Sequence, residues 1–166
     1  MARLNLIKAL RTSRDSLNYE ASVNNLNSSE LYFITDENRI ATGTGTNTYQ
    51  ELAKSSRGTW APSVVASSGS ITAYTASGSW QRFDDVVLFD VEVYISNNGT
   101  GAVSLIFSVP FSYSGPASGS GREGGVTGKM LQAFRANSDQ IQVQVYDNSY
   151  PGGSGYLLNI GGKFRV

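Results

Sequence analysis

A chain of 166 residues is long enough for one sizeable domain, or one domain with a smaller companion, and its 13 Lys and Arg balance its 13 Asp and Glu. A charged fraction of only 16%, with no basic cluster, argues against a charge-rich helical protein and against nucleic-acid binding. Cysteine and histidine are both absent, which excludes a disulfide framework, a Cys/His zinc site and hydrolysis through a histidine base.

In chain order, Met1 to Lys8 lacks the continuous apolar run of a signal peptide, and no segment reaches the length of a membrane span. Synthesis in the cytoplasm without a signal peptide, and no membrane insertion, are therefore expected. Residues 2–12 fit a strand (Leu4, Leu6 and Leu10 alternating) or a short helix (Leu6, Ile7, Leu10). Residues 13–29 read as polar and irregular. Glu30 to Thr35 reads as a strand by its aromatic and β-branched content, Asp36-Glu37-Asn38 as a turn and Arg39 to Thr42 as the return strand. Gly43 to Asn47 reads as a flexible loop before Thr48 to Leu52.

The polar stretch Lys54 to Gly58 marks the expected boundary between domains 1–57 and 58–166. The first piece is too small to hold a strong core alone, since below roughly 70 residues one core rarely supplies more than a few kcal/mol. Oligomerisation is the remaining way to cover its apolar faces.

The longest strand of the second part is Asp85 to Ser96, with Val87, Phe89, Val91, Val93 and Ile95 on one face. Asn97 to Gly101 contains Asn-Gly, the strongest short hairpin signal. A hairpin return is expected over Ala102 to Val109, with Val103, Leu105, Phe107 and Val109 inside and Ala102, Ser104 and Ser108 outside. Earlier, Thr59 to Val65 suits a strand start or edge around Pro62, and Ile71, Ala73 and Thr75 alternate with Thr72 and Tyr74.

The Gly- and Ser-rich run 115–125 reads as a long loop that cannot pack a core. Val126 to Ala136 is expected as a strand with Met130, Gln132 and Phe134 on one side. Ile141 to Val145 is a strand with apolar odd positions. Residues 147–155 form a second long loop, and the closing strand places Leu158, Ile160, Phe164 and Val166 on one face, with Gly161-Gly162 as a bulge. About seven or eight strands separated by turn signals predict an antiparallel sandwich.

Two stretches resemble bacteriophage tail proteins. Ser29 to Ile40, then Gly43-Thr44-Gly45-Thr46 and Tyr49-Gln50-Glu51-Leu52, looks like the short N-terminal repeat of phage tropism-determinant and tail-fibre proteins. Ser29 stands where that repeat has Gly, Glu37-Asn38 where it has Thr-Gly, Thr44 where it has Asp, and Tyr49 where it has Trp. Gly58-Thr59-Trp60-Ala61-Pro62, Tyr74 to Gly78, Trp80 to Val87, Val109-Pro110-Phe111 and Ile160 to Phe164 are together similar to a C-terminal module of phage fibres. The resemblance implies an all-β homotrimer in the virion tail. A small intertwined N-terminal β-hairpin domain would trimerise and attach to other tail or baseplate proteins. A jelly-roll-like C-terminal sandwich would bind a bacterial surface polysaccharide or lipopolysaccharide.

No catalytic residue and no cofactor is expected. Asp84 and Asp85 point to opposite sides of a strand, and Asp90 and Glu92 lie on its solvent side, so neither pair reads as the facing carboxyls of a glycosidase. Asp36-Glu37-Asn38 offers oxygen ligands for calcium, but a hairpin turn explains it, and no metal is expected. The run 115–125 lacks the Gly-Lys-Ser/Thr ending of a phosphate loop. Trp60 and Trp80 are expected in the core or an interface. The candidate ligand-binding residues are Tyr113, Tyr150 and Tyr156, whose flat rings could stack on sugars, with Arg122, Asp147 and Asn148 for the hydroxyls. A non-enzymatic receptor-binding fibre or tip is the leading reading. A structural baseplate or connector part is the alternative, and a glycan-degrading spike is disfavoured.

Overall fold

The computed structural model describes residues 10–37, 39–52 and 55–166. They fall in two compact units, Met1–Lys54 and Ser55–Val166. The expectation for residues 2–12 lies mostly outside the described residues, as do Asn38 of the turn and Lys54 of the boundary.

The first unit is a four-stranded sheet in the order β1 (Leu10–Thr12), β2 (Leu31–Ile34), β3 (Arg39–Gly45) and β4 (Thr48–Glu51). β1 runs parallel to β2, and the other pairs are antiparallel. The parallel pair is joined by a helix, α1 (Arg14–Ser22), where the sequence reads as irregular. Ser13 caps it, its Oγ accepting from Ser16 N at 3.2 Å, and Asp15 lies in the first turn. The stretch offers few apolar side chains, so no stripe is visible, and tertiary packing of Leu17 stabilises the helix. Leu17, Leu26, Tyr32, Ile34 and Ala41 form the core. β3 continues through Gly43 to Gly45, where a loop is expected from the sequence. A Cβ at Gly43 would lie 2.0 Å from Asn27 O, so only glycine admits this backbone approach. Arg14 grips the carboxylate of Glu37 with Nε and Nη2, at 2.8 and 2.6 Å, and also pairs with Glu51. Asp36 accepts the Arg14 backbone N–H at 3.1 Å. The carboxylates of Asp36 and Glu37 considered for calcium are thereby engaged within the unit.

The second unit contains β5 (Ser55–Trp60), β6 (Val64–Ser68), β7 (Ala73–Phe83), β8 (Val86–Asn97), β9 (Ala102–Ser108), β10 (Ala117–Glu123), β11 (Met130–Arg135), β12 (Gln140–Val145) and β13 (Tyr156–Arg165). They form one nine-stranded sheet in the order β5-β7-β8-β13-β10-β11-β12-β9-β6, not two stacked sheets. Every neighbouring pair is antiparallel. The sheet curls into a half-barrel, so strands distant in its order meet. Trp60 Nε1 donates to Ser108 O at 3.0 Å, and Val64 N donates to Tyr74 Oη at 3.0 Å. The polar stretch taken as a boundary opens this unit, because β5 begins at Ser55.

The concave face is the core. Val87, Phe89, Val91, Val93 and Ile95 of β8 all point inward, as the alternation predicts. The expected β8–β9 hairpin does not form, since β8 pairs with β7 and β13 while β9 pairs with β6 and β12. The Asn97 to Gly101 turn crosses between separate parts of the sheet instead. Its backbone is held by Gly101 N to Asn98 O at 3.1 Å and Thr100 N to Ser70 O at 3.0 Å.

β9 reverses its expected faces at the start. Val103 is 57% exposed and Ser104 fully buried, with Ser104 Oγ donating to Ser67 Oγ at 2.8 Å. Val103 has φ 74°, and the β6–β9 register shifts between Ala66 and Ser68, so an irregularity swaps one residue pair across the sheet. Ala73 and Thr75 likewise face outward while Tyr74 and Ala76 pack on the core, after a register shift between Ala73 and Tyr74.

The presumed loop 115–125 contains an interior strand. β10 lies between β13 and β11, with Gly121 opposite Ile160 and Leu131. A Cβ at Gly121 would lie 2.1 Å from Asn159 O. The strand is invisible to apolar alternation because backbone closeness, not side-chain burial, fixes it. On β11, Met130, Gln132 and Phe134 share one side as expected, and it is the outer one, since Leu131 and Ala133 are buried. Gly161-Gly162 is no bulge: the ladder runs unbroken with Gly161 opposite Asp90 and Gly162 opposite Phe89. Trp60 and Trp80 pack against the core, Trp80 over Gly58 and Trp60 over Gly78 on the paired strand.

Candidate functional site

The residues singled out in the sequence are distributed over several places. Tyr113 is 3% exposed, its hydroxyl donates to Gln140 O at 2.8 Å, and its ring lies 4.7 Å from that of Phe164. It belongs to the core, and burial pushes its phenol pKa up. Tyr150 is half-buried and donates to Asn98 Oδ1 at 2.7 Å, tying the loop after β12 to the Asn97 to Gly101 turn. Its phenol is raised by burial, against the lowering effect of that hydrogen bond. Tyr156 packs against the core at the start of β13. Asp147 accepts Ser149 N at 2.9 Å, and its bonds to Ser149 hold its pKa down. Asn148 has φ 63°, and its Oδ1 accepts from Gln132 Nε2 at 2.8 Å. Arg122 is exposed on the convex face of β10. Among the described residues, no hydrogen bond, ion pair or ring contact joins any two of these six.

One carboxylate is fully committed to structure. Glu123 is 1% exposed at the end of β10. It accepts from Gly125 N at 2.6 Å, Val126 N at 2.9 Å, Gly128 N at 3.2 Å and Leu157 N at 3.3 Å, as well as from Thr127 N and Oγ1. Burial alone would raise its pKa, but the hydrogen bonds from Thr127, Val126 and Gly125 outweigh it and hold it at about 2. It is the anchor of the 124–128 turn.

The convex face carries a different feature. Even-numbered residues of β8 point outward, which places Asp90 and Glu92 on one surface, about 7 Å apart along the strand. Ser79 and Gly161 flank Asp90, while Ser77 and Asn159 flank Glu92. Thr59 extends the Ser79 row to β5. These side chains are short, so the surface sinks into a hollow of about 800 Å³ lined by Thr59, Ser77, Ser79, Asp90, Glu92 and Asn159. A second hollow, of about 560 Å³, is lined by Arg57, Gln81 and Leu88, and shares Thr59, Ser79 and Asp90 with the first. Together they make one groove across β5, β7, β8 and β13.

Gly161 keeps the groove open. A Cβ there would lie 2.8 Å from Asp90 Oδ1. Among the described residues, the side chains of Thr59, Ser77, Ser79, Asp90, Glu92 and Asn159 make no hydrogen bond or ion pair, so their donors and acceptors face solvent. Tyr94, 43% exposed, follows Glu92 on the same face. Such a surface can accept and donate hydrogen bonds to a hydroxylated ligand. Among the described residues, no group of three or more His, Cys, Asp or Glu could hold a metal ion.

Sequence reading sets Asp90 and Glu92 aside as solvent-facing. The missing information is register: small residues of β5, β7 and β13 come to lie beside them only through pairing. The available signal was Ser77-Gly78-Ser79, a run of small residues in an otherwise bulky strand. Compared with known protein families, with curated proteins and with solved structures, the chain shows no match.

Proposed function

We propose that this protein is a non-enzymatic receptor-binding fibre or tip of a bacteriophage tail. Its nine-stranded unit binds a polysaccharide or lipopolysaccharide of the bacterial surface, and its small unit trimerises and attaches to neighbouring tail or baseplate proteins. Three copies would intertwine through the first unit, each carrying one curled nine-stranded body. The observation that carries this reading is the convex-face groove, whose hydroxyl, amide and carboxylate groups are unengaged, whereas the loop residues Tyr113, Tyr150 and Asn148 are bonded internally. The order of the two fibre-like stretches along the chain adds to it. The first unit also exposes Leu10, Tyr19, Val23, Ile40 and Leu52, apolar area suited to contact with other subunits. Trimerisation multiplies a weak sugar contact into useful avidity.

The test is adsorption. Purified protein should coat host cells, bind isolated lipopolysaccharide or surface polysaccharide, and compete with whole particles. Particles lacking the protein that still adsorb fully would remove the reading. They would leave the alternative, a structural baseplate or connector part, which the internal bonding of Tyr113, Tyr150 and Asn148 favours.

A further inference from the structure

We infer that Asn98-Gly99 is a covalent modification site, a deamidation that the fold holds off by clasping both reacting groups. It is the one Asn-Gly pair in the chain. In deamidation the Gly99 nitrogen loses its proton and attacks Cγ of Asn98. The new C–N bond closes a cyclic imide, and the side-chain amide leaves as ammonia. Water then opens the ring, giving aspartate when the new bond breaks and isoaspartate when the original peptide bond breaks. Glycine suits the attack because no Cβ shields its nitrogen. Here both partners are held. Asn98 Oδ1 accepts from Tyr150 Oη at 2.7 Å, and Asn98 Nδ2 donates to Gly101 O at 2.9 Å. Both ends of the carboxamide are bonded, so it cannot rotate to meet a nucleophile without losing a partner. Gly99 N donates to Asn97 Oδ1 at 3.0 Å, and its deprotonation forfeits that bond. Asn98 N donates to Ser154 Oγ at 3.0 Å, which fixes the backbone before the pair. The Tyr150 hydroxyl is itself tightly seated: an added Cβ at Gly101 or Gly152 would lie 2.7 or 2.6 Å from its oxygen. Burial raises the Tyr150 phenol, so it stays a donor in the mildly alkaline range that favours the attack. Conversion has a structural consequence. An aspartate at position 98 loses the donation to Gly101 O and sets a charge beside that carbonyl. An isoaspartate also lengthens the backbone of a turn that is tied to Ser70, Tyr150 and Ser154. The modification therefore unfastens the loops at one end of the nine-stranded unit.

The full chain is incubated in mildly alkaline buffer, folded and in urea, and peptide mass spectrometry reads aspartate and isoaspartate at residue 98 over time. The folded wild type should convert about tenfold or more slowly than the unfolded chain, which has lost the clasp. Tyr150→Phe keeps the ring and removes the donor, and Asn97→Ala, at an exposed position, frees the Gly99 nitrogen. Each should convert about fivefold faster than wild type while folded, as the loss of one hydrogen bond implies. Thermal melting of both variants is measured alongside, and Asn97→Ala alone decides where Tyr150→Phe melts below the incubation temperature. Equal rates in folded and unfolded wild type, or a folded variant that keeps the wild-type rate, would overturn the inference. Acceleration confined to a variant that has melted would overturn it too, because general unfolding and not the clasp would then set the rate.

Discussion

Glu123 illustrates how a single buried charge can be stabilising. Alone it would be costly, yet the amides of the 124–128 turn and of Leu157 surround it. Its folded pKa of about 2 lies below the usual 4.5. The depressed value means that the unfolded chain takes up this proton first as pH falls. The stabilisation is therefore complete above about pH 5 and is lost between there and about pH 2, amounting to about 3 kcal/mol. Glu123→Gln should lower the melting temperature at pH 7, and the gap between variant and wild type should narrow as pH drops from 5 toward 2. A gap independent of pH would show that the charge is not the source. Glu37 and Glu51 have lowered pKa values through their bonds to Arg14, so both proteins share that part of the acid response.

At the scale of elements, β10 decides whether the sheet is continuous. It has no large apolar side chain, and its place between β13 and β11 depends on backbone ladders. Gly121→Ala would force a Cβ against Asn159 O, now 2.1 Å from the ideal position, and should cost about 3 kcal/mol in chemical denaturation. Ser120→Ala, one residue away on the exposed face, should change stability by less than about 0.5 kcal/mol. Equal effects at both sites would contradict an interior β10. α1 shows the converse case. Its Ser13 cap and the burial of Leu17 define it, whereas its remaining surface is polar enough to hide it from periodicity. β10 was illegible because the ladders that fix it join neighbours distant in sequence, and α1 because Leu17 is its one buried side chain, leaving the local Ser13 cap as its signal.

For the whole molecule, the contrast between units matters. The second unit buries a contiguous core from Val64 to Phe164, while the first holds only a small cluster to offset the large apolar residues that it, like the second, exposes. A native mass measurement of the full chain should return three copies. Leu52→Glu or Ile40→Glu should shift it toward monomer while leaving the cooperative melting of the second unit in place. A monomeric wild-type chain would contradict attachment by trimerisation.

The sequence by itself determined the β-rich character, the inward face of β8 and the alternation of β12, because a period of two in hydrophobicity is a local consequence of strand geometry. It also determined what chemistry is absent, since no histidine or cysteine exists to perform it. Only the tertiary structure decided that the Asn97 to Gly101 turn crosses the sheet, that β10 is interior, and that Asp90, Ser79 and Asn159 share a groove. Pairing partners and register depend on which strands close the curled sheet around one core. That choice is made by all the strands together, so it leaves no mark on the residues of any one of them.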